Sequence, residues 1–275
     1  MSEIEYLYRY TSIESLALML KSKAVRLNPL DKMDDLQEQK TSDVENLGKF
    51  VFISSWTEDD TESIPMWRMY TNPQSGVRIK MRKNPFVWHG TAAKDIIETL
   101  RMPAGEESIS TERINTFLDF SKLMANGYFS PQAWGGEILE RVTYTDDIER
   151  LEPSVAHTSK DGIRIEVGKM GKYKSSYWAF QKEWRYIYRV SPMGLKESNP
   201  STFEKQRELI RRIEDKEYEP AYSRMFFDLD DKALENIEVL CGPKMNDAEK
   251  IIVKTLLKQY CPNGIYKESK LKIRK

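Results

Sequence analysis

Residues 177–190 read YWAFQKEWRYIYRV, and the alternation from Glu183 onward marks a strand. Strand side chains point to opposite faces in turn. Trp184, Tyr186, Tyr188 and Val190 therefore share one face, while Glu183, Arg185, Ile187 and Arg189 share the other. The aromatic face is read as core. A glutamate at the head of such a strand is either a paired structural carboxylate or a catalytic one. Across strands in general the structural role is the commoner.

Working outward, Glu5–Tyr10 alternates as a first strand, and Thr11-Ser12-Ile13-Glu14 matches a capping box with Thr11 as the cap. Leu16, Met19 and Leu20 give the following helix its apolar face. Ala24–Leu27, Phe50–Trp56 and Gly76–Met81 read as strands. Asn28–Thr41 reads as a long loop or a loop with one helical turn, and Ser63-Ile64-Pro65 as a capped helix start. Asp95–Leu100 and Ser110–Tyr128 read as helices, Glu137–Tyr144 as a strand, and Thr145–Lys172 as a polar connection with at most one helix. Beyond a loop at Ser191–Ser201, the charged segment 203–219 reads as a helix with Leu209, Ile210 and Ile213 inward. Ser223–Leu229 and Ile237–Cys241 read as strands and Asp247–Tyr260 as a helix. The tail 267–275 is basic, which suits either nucleic-acid contact or a solvated terminus. Strands and helices mix without strict βα alternation, so the expectation is an α+β single domain over residues 1–275, with insertions around 92–130 and 145–172.

Composition narrows the chemistry. Lys+Arg and Asp+Glu stand at 43 each, so global charge selects no partner, and 40% hydrophobic content is that of a globular chain. Apolar runs are too short for a membrane span, and the start MSEIEYLYRYTS has no signal-peptide pattern. With only Cys241 and Cys261, a cytoplasmic location is expected. Those cysteines with His89 and His157 cannot build the usual zinc site, and no P-loop, GxGxxG or GxSxG is present. Asp31, Asp34, Asp35 and Glu38 could hold magnesium, though acidic loops of this kind are more often simply solvated.

The ordered blocks Leu7–Ser12 (LYRYTS), Ser63–Tyr70 (SIPMWRMY), Gly76-Val77, Gln181–Arg185 (QKEWR) and Gly242–Lys244 (GPK) resemble a bacterial family known chiefly as a domain of unknown function. More remotely, the pattern resembles the ADP-ribosyltransferase superfamily, in particular its nucleic-acid-modifying toxins. That resemblance implies a central split antiparallel sheet and a site that takes NAD without a metal. It implies Glu183 as the catalytic carboxylate and Arg9, Tyr10, Thr11, Asn28, Asp35, Trp67 and Tyr70 around the cofactor. Gln181 and Arg185 would face the acceptor, and Ser55-Trp56-Thr57 echoes a Ser-Thr-Ser strand of that superfamily. It further implies a toxin or phage-defence effector, with a neutralising antitoxin partner.

The chemistry suits these residues. A carboxylate on a ribose hydroxyl stabilises positive charge developing at the ribose, and a guanidinium matches a pyrophosphate. Bland roles stand beside each: an ion pair for Arg9, core packing for Trp67 and Tyr70, turn chemistry for Asn28 and Asp35. Three functions are thus carried forward. The first is an NAD-dependent ADP-ribosyltransferase with a nucleic-acid (RNA or DNA) acceptor. The second is a non-catalytic nucleotide or nucleic-acid binder, and the third a metal-dependent nuclease on the acidic loop.

Overall fold

The computed structural model describes residues 4–72, 76–92, 113–119, 123, 126, 128, 130, 132, 137–160, 162–190, 203–216 and 218–273. The N-terminal part holds β1 (Tyr6–Thr11), α1 (Ile13–Ser22), β2 (Ala24–Pro29), β3 (Val51–Thr57), α2 (Ile64–Tyr70) and β4 (Val77–Arg82). The middle holds β5 (His89–Ala92), β6 (Arg113–Thr116), β7 (Leu139–Arg141), β8 (Thr143–Thr145), α3 (Ile148–Leu151), β9 (Ala156–Ser159), β10 (Gly162–Ile165) and β11 (Tyr173–Ser175). After β12 (Glu183–Arg189) come α4 (Phe203–Glu214), β13 (Met225–Asp228), α5 (Asp231–Glu235), β14 (Glu238–Cys241), α6 (Asp247–Tyr260) and β15 (Ile265–Glu268).

Nine of these strands form one mostly antiparallel sheet in the order β13-β2-β3-β1-β4-β14-β15, with β12 joined to β3 and β7 to β12. The mixed α and β class expected from the sequence is what the chain adopts. β3 is the branch point. Along one edge it pairs with all of β12, from Glu183 opposite Thr57 to Arg189 opposite Val51. On the other edge it meets β1 only at Thr57, opposite Tyr8, and β2 only at Ile53 and Phe52. Ser54, Ser55 and Trp56 have no strand partner on that edge. The sheet forks there, and a fork is where side chains can enter between strands.

Both faces of β12 are buried. On the aromatic face, Tyr186 lies edge-on to Phe86 with ring centres 4.7 Å apart, and Tyr188 edge-on to Phe227 at 5.4 Å. The charged face is equally dry. Arg189 donates to Glu140 at 2.6 Å and to the Met170 carbonyl, so its charge is matched inside the protein. A smaller cluster of Tyr10, Met66, Trp67 and Leu240 packs beside α2, apart from the main core.

Several local expectations are corrected. Ser12, not Thr11, caps α1. Its backbone is extended and its hydroxyl accepts from the Ser15 N–H at 3.2 Å, while Thr11 stays in the ladder opposite Val77. The β-branched Thr11 fits a strand better than a cap. Asn28 and Pro29 extend β2 and are not loop. Within the segment expected to be helix 110–128, Arg113–Thr116 is a strand paired with His89–Ala92, so strand pairing has overridden the helical spacing there. The expected strand 137–144 is two strands, β7 on β12 and β8 parallel to β11, separated at Val142. The connection 145–172, expected to hold at most one helix, contains α3 and, beyond that, the hairpin of β9 and β10. The charged helix ends at Glu214, with Ile213 buried. In the basic tail, Lys267 lies in β15 and pairs with Glu238 at 2.6 Å. The expected helix 95–100 and loop 191–201 lie outside the described residues.

Candidate functional site

A cavity of about 250 Å³ opens at the fork of the sheet. It is lined by Tyr8–Thr11 of β1, Asn28 of β2, Lys32, Met33 and Asp34 of the segment after β2, Ile53–Trp56 of β3, Met66 and Tyr70 of α2, and Lys174, Gln181, Glu183 and Arg185. Register explains why the lining is so varied. Tyr8 and Glu183 both stand opposite Thr57, so they begin on one face, and Arg9 and Thr11 begin on the other with Ser54 and Trp56. A continuous ladder would separate these sets. The gap beside Ser54–Trp56 lets both reach one space.

Glu183 sits in a buried cluster of four charges. Arg185 donates from Nε to its Oε1 at 2.7 Å and from Nη2 to its Oε2 at 3.0 Å, and Lys174 Nζ lies 3.3 Å from Oε2. Glu38 reaches in from the loop after β2, with Oε2 2.6 Å from Arg185 Nη1 and Oε1 2.9 Å from Lys174 Nζ. These Glu38 contacts are charge contacts without well-aligned hydrogen bonds. Arg185 also donates to the Gly171 carbonyl at 3.0 Å. All four side chains are nearly inaccessible, yet two negative and two positive charges leave the cluster neutral. Burial alone would push the Glu183 carboxyl up. The adjoining Arg185 and Lys174 outweigh it and pull the group down to about 2, so it is ionised at neutral pH. The Glu183 N–H donates to the Tyr144 hydroxyl at 2.9 Å, which ties the head of β12 in place.

Arg9 is the opposite case. Its guanidinium donates to Ser54 Oγ at 2.9 Å and lies 5.8 Å from the centre of the Trp56 ring. No carboxylate stands within ion-pair distance of it among the described residues. Burial, with a smaller push from the neighbouring Arg26, brings its pKa down to about 10. A charged donor facing a cavity without a counter-ion is a site for an anion.

On the third side, Lys174 donates to Gln181 Oε1 at 3.0 Å, and Gln181 Nε2 donates to the Tyr70 hydroxyl. Burial, then the charges of Glu183, Asp34 and Glu38, push the Tyr70 phenol up, so its proton stays on.

The fork brings together most residues expected at the site: Arg9, Tyr10, Thr11, Asn28, Tyr70, Gln181, Glu183 and Arg185 all line the cavity. Asp35 and Trp67 do not. Asp35 Oδ1 accepts from the Gln37 N–H at 3.0 Å, closing a local turn. Trp67 packs edge-on to Tyr10 with ring centres 4.8 Å apart and donates to Glu62, as core residues do. Gln181 and Arg185, expected at the acceptor, are buried with their donors engaged inside the protein. Glu38, expected in an acidic cluster, is spent on Arg185 and Lys174. Among the described residues no three His, Cys, Asp or Glu converge as a metal-holding group, which leaves the nuclease reading without a ligand set there. Lys174 was not singled out by the sequence. It lies seven and nine residues before Gln181 and Glu183, a spacing that carries no local signal. Compared with models of known protein families, with curated proteins and with solved structures, the chain matches none of them.

Proposed function

We propose that the chain is an NAD-dependent ADP-ribosyltransferase whose site is the cavity at the fork of the sheet. One observation carries this reading. Three strands meeting at β3 bring an uncompensated guanidinium (Arg9), a pair of serines (Ser54 and Ser55) and an ionised carboxylate (Glu183) to one cavity. NAD supplies a glycosidic bond between ribose and nicotinamide that breaks with its electron pair leaving on the nicotinamide. The Glu183 carboxylate can accept a hydrogen bond from a ribose hydroxyl and so stabilise positive charge developing at the ribose. Arg9 fits a phosphate oxygen, since no carboxylate among the described residues pairs with it. At about 250 Å³ the cavity is smaller than the usual range of ligand sites, about 300–1,000 Å³. It suits one half of a dinucleotide, with the other half lying outward.

Nucleic acid is the proposed acceptor. The turn Ser176–Gln181, just before Glu183, exposes Tyr177 at 89% and Phe180 at 41%, and aromatic faces of this kind stack with unpaired bases. A second reading, a nucleotide-binding module without turnover, is favoured by one specific feature. Glu183 already receives two bonds from Arg185 and one from Lys174, the environment of a structural carboxylate.

Incubation with NAD labelled in the ADP-ribose part, beside separate pools of RNA, single-stranded DNA, duplex DNA and protein, tests both. Label in one pool with wild type, absent with a folded Glu183→Gln variant that still binds NAD, supports the transferase. Binding of NAD by wild type without label in any pool and without nicotinamide release supports the module.

A further inference from the structure

The hydrogen-bond chain from Lys174 to Tyr70 has a fixed direction. An ammonium group can only donate, so the Gln181 amide must turn its oxygen to Lys174 and its NH2 to Tyr70. The Tyr70 hydroxyl must then accept that bond, and its own proton is left over. No acceptor within the protein takes that proton among the described residues, and Tyr70 lines the cavity. Lys174 is in turn held by Glu38 and Glu183, so it cannot turn away, and a flipped amide would set its NH2 against the ammonium.

We propose that Tyr70 is a hydrogen-bond donor to an acceptor oxygen of the cavity ligand, a carboxamide or phosphate oxygen, and that Lys174 is the positioning residue that sets this direction through Gln181. The inference rests on the NAD reading only for the choice of probes. It gives Tyr70 a polar, directional role in place of the core packing that stands as its bland alternative. It also gives the buried Lys174 a second role beside charge balance, because a neutral partner would leave the amide free to turn over.

The direction is read first without ligand, from the carbon-13 resonance of the Tyr70 ring carbon bearing the hydroxyl, assigned by its loss in Tyr70→Phe. Accepting a hydrogen bond shields that carbon and donating one deshields it. Gln181→Met therefore moves the resonance downfield if Tyr70 accepts from Gln181, and an upfield shift overturns the proposal. Binding of nicotinamide and of ADP-ribose is then measured separately by calorimetry. For whichever probe wild type binds, Tyr70→Phe weakens affinity by about 3- to 10-fold, the worth of one hydrogen bond. Gln181→Glu presents a carboxylate to both neighbours, so Tyr70 donates to it and is lost to the ligand. That variant matches the loss in Tyr70→Phe, and the double variant loses no more than either. Gln181→Met, which leaves the Tyr70 proton free, loses less than Gln181→Glu. Equal losses in those two variants, or none in Tyr70→Phe, overturn the proposal. Binding of neither probe by wild type counts against the NAD reading alone, and the ligand-free resonance still decides the direction.

Discussion

At the scale of single residues, the site sets two charges against each other: Glu183 is over-satisfied and Arg9 under-satisfied. Because the folded protein holds the Glu183 carboxyl at about 2 against an ordinary 4.5, its ionised form stabilises the fold. That contribution is fully present above pH 4.5 and is lost as the pH falls toward 2. Glu183→Gln is expected to lower the melting temperature at pH 7 and to flatten its fall over that acid window, as calorimetric melts across pH would show. Arg185→Met is harsher. It leaves two buried carboxylates to share the single charge of Lys174 and is expected to cost about 3–5 kcal/mol in urea unfolding. Arg9 has the reverse sign, since its charged form is disfavoured in the fold. That cost is present below about pH 10 and is relieved as the pH rises further. Arg9→Met is therefore expected to leave stability unchanged or raise it by about 1 kcal/mol while abolishing ADP-ribose binding. A marked fall in stability with binding intact would mean that Arg9 is structural.

At the scale of elements, the cavity depends on strands and loops that hold one another rather than on any one segment. The loop after β2 is pinned through Glu38 to β12 and β11, so it forms a fixed wall. Beside Trp67, the Gly242 N–H donates to the Gly76 carbonyl at 2.9 Å. A Cβ there would lie 2.9 Å from the Gly76 carbonyl oxygen and 3.2 Å from the Trp67 ring. Gly242→Ala is expected to cost about 1–3 kcal/mol by pushing Trp67 against Tyr10, with weaker ligand binding measured alongside. By contrast, α6 carries a reciprocal capping box between Asn246 and Glu249 far along the chain from the site residues. Asn246→Ala is expected to cost about 1 kcal/mol in stability and to leave ligand affinity unchanged. Loss of affinity in that variant would show that α6 is coupled to the cavity.

At the scale of the whole molecule, equal numbers of acidic and basic residues leave no large field to draw in a polyanion. The tail lysine Lys267 is neutralised by Glu238. Any nucleic-acid acceptor is therefore held more by stacking and local contacts than by counter-ion release. Its affinity is expected to fall by less than about tenfold between 50 and 200 mM salt, against the far steeper fall of proteins with many phosphate contacts. A steep salt dependence in filter binding would point instead to a basic surface not apparent from the overall charge. No helix among the described residues is long and apolar enough to cross a membrane.

Period, capping and composition by themselves determined much of this protein. They placed β1, β2, β3, β4, β12, α1 and α6 to within a few residues, because strand alternation and cap chemistry are local. The ordered blocks also singled out Arg9, Tyr70, Gln181 and Glu183, which the fold does bring to one cavity. Only the tertiary structure decided the rest. It turned Arg113–Thr116 to strand through its pairing with β5, and moved Trp67 and Asp35 away from the cavity. It also recruited Lys174 to Glu183 across 9 residues and Glu38 to Arg185 across 147. Burial is what makes such partners obligatory, since a charge removed from water must find its opposite wherever the chain can supply one. No pattern read along the chain contains that information.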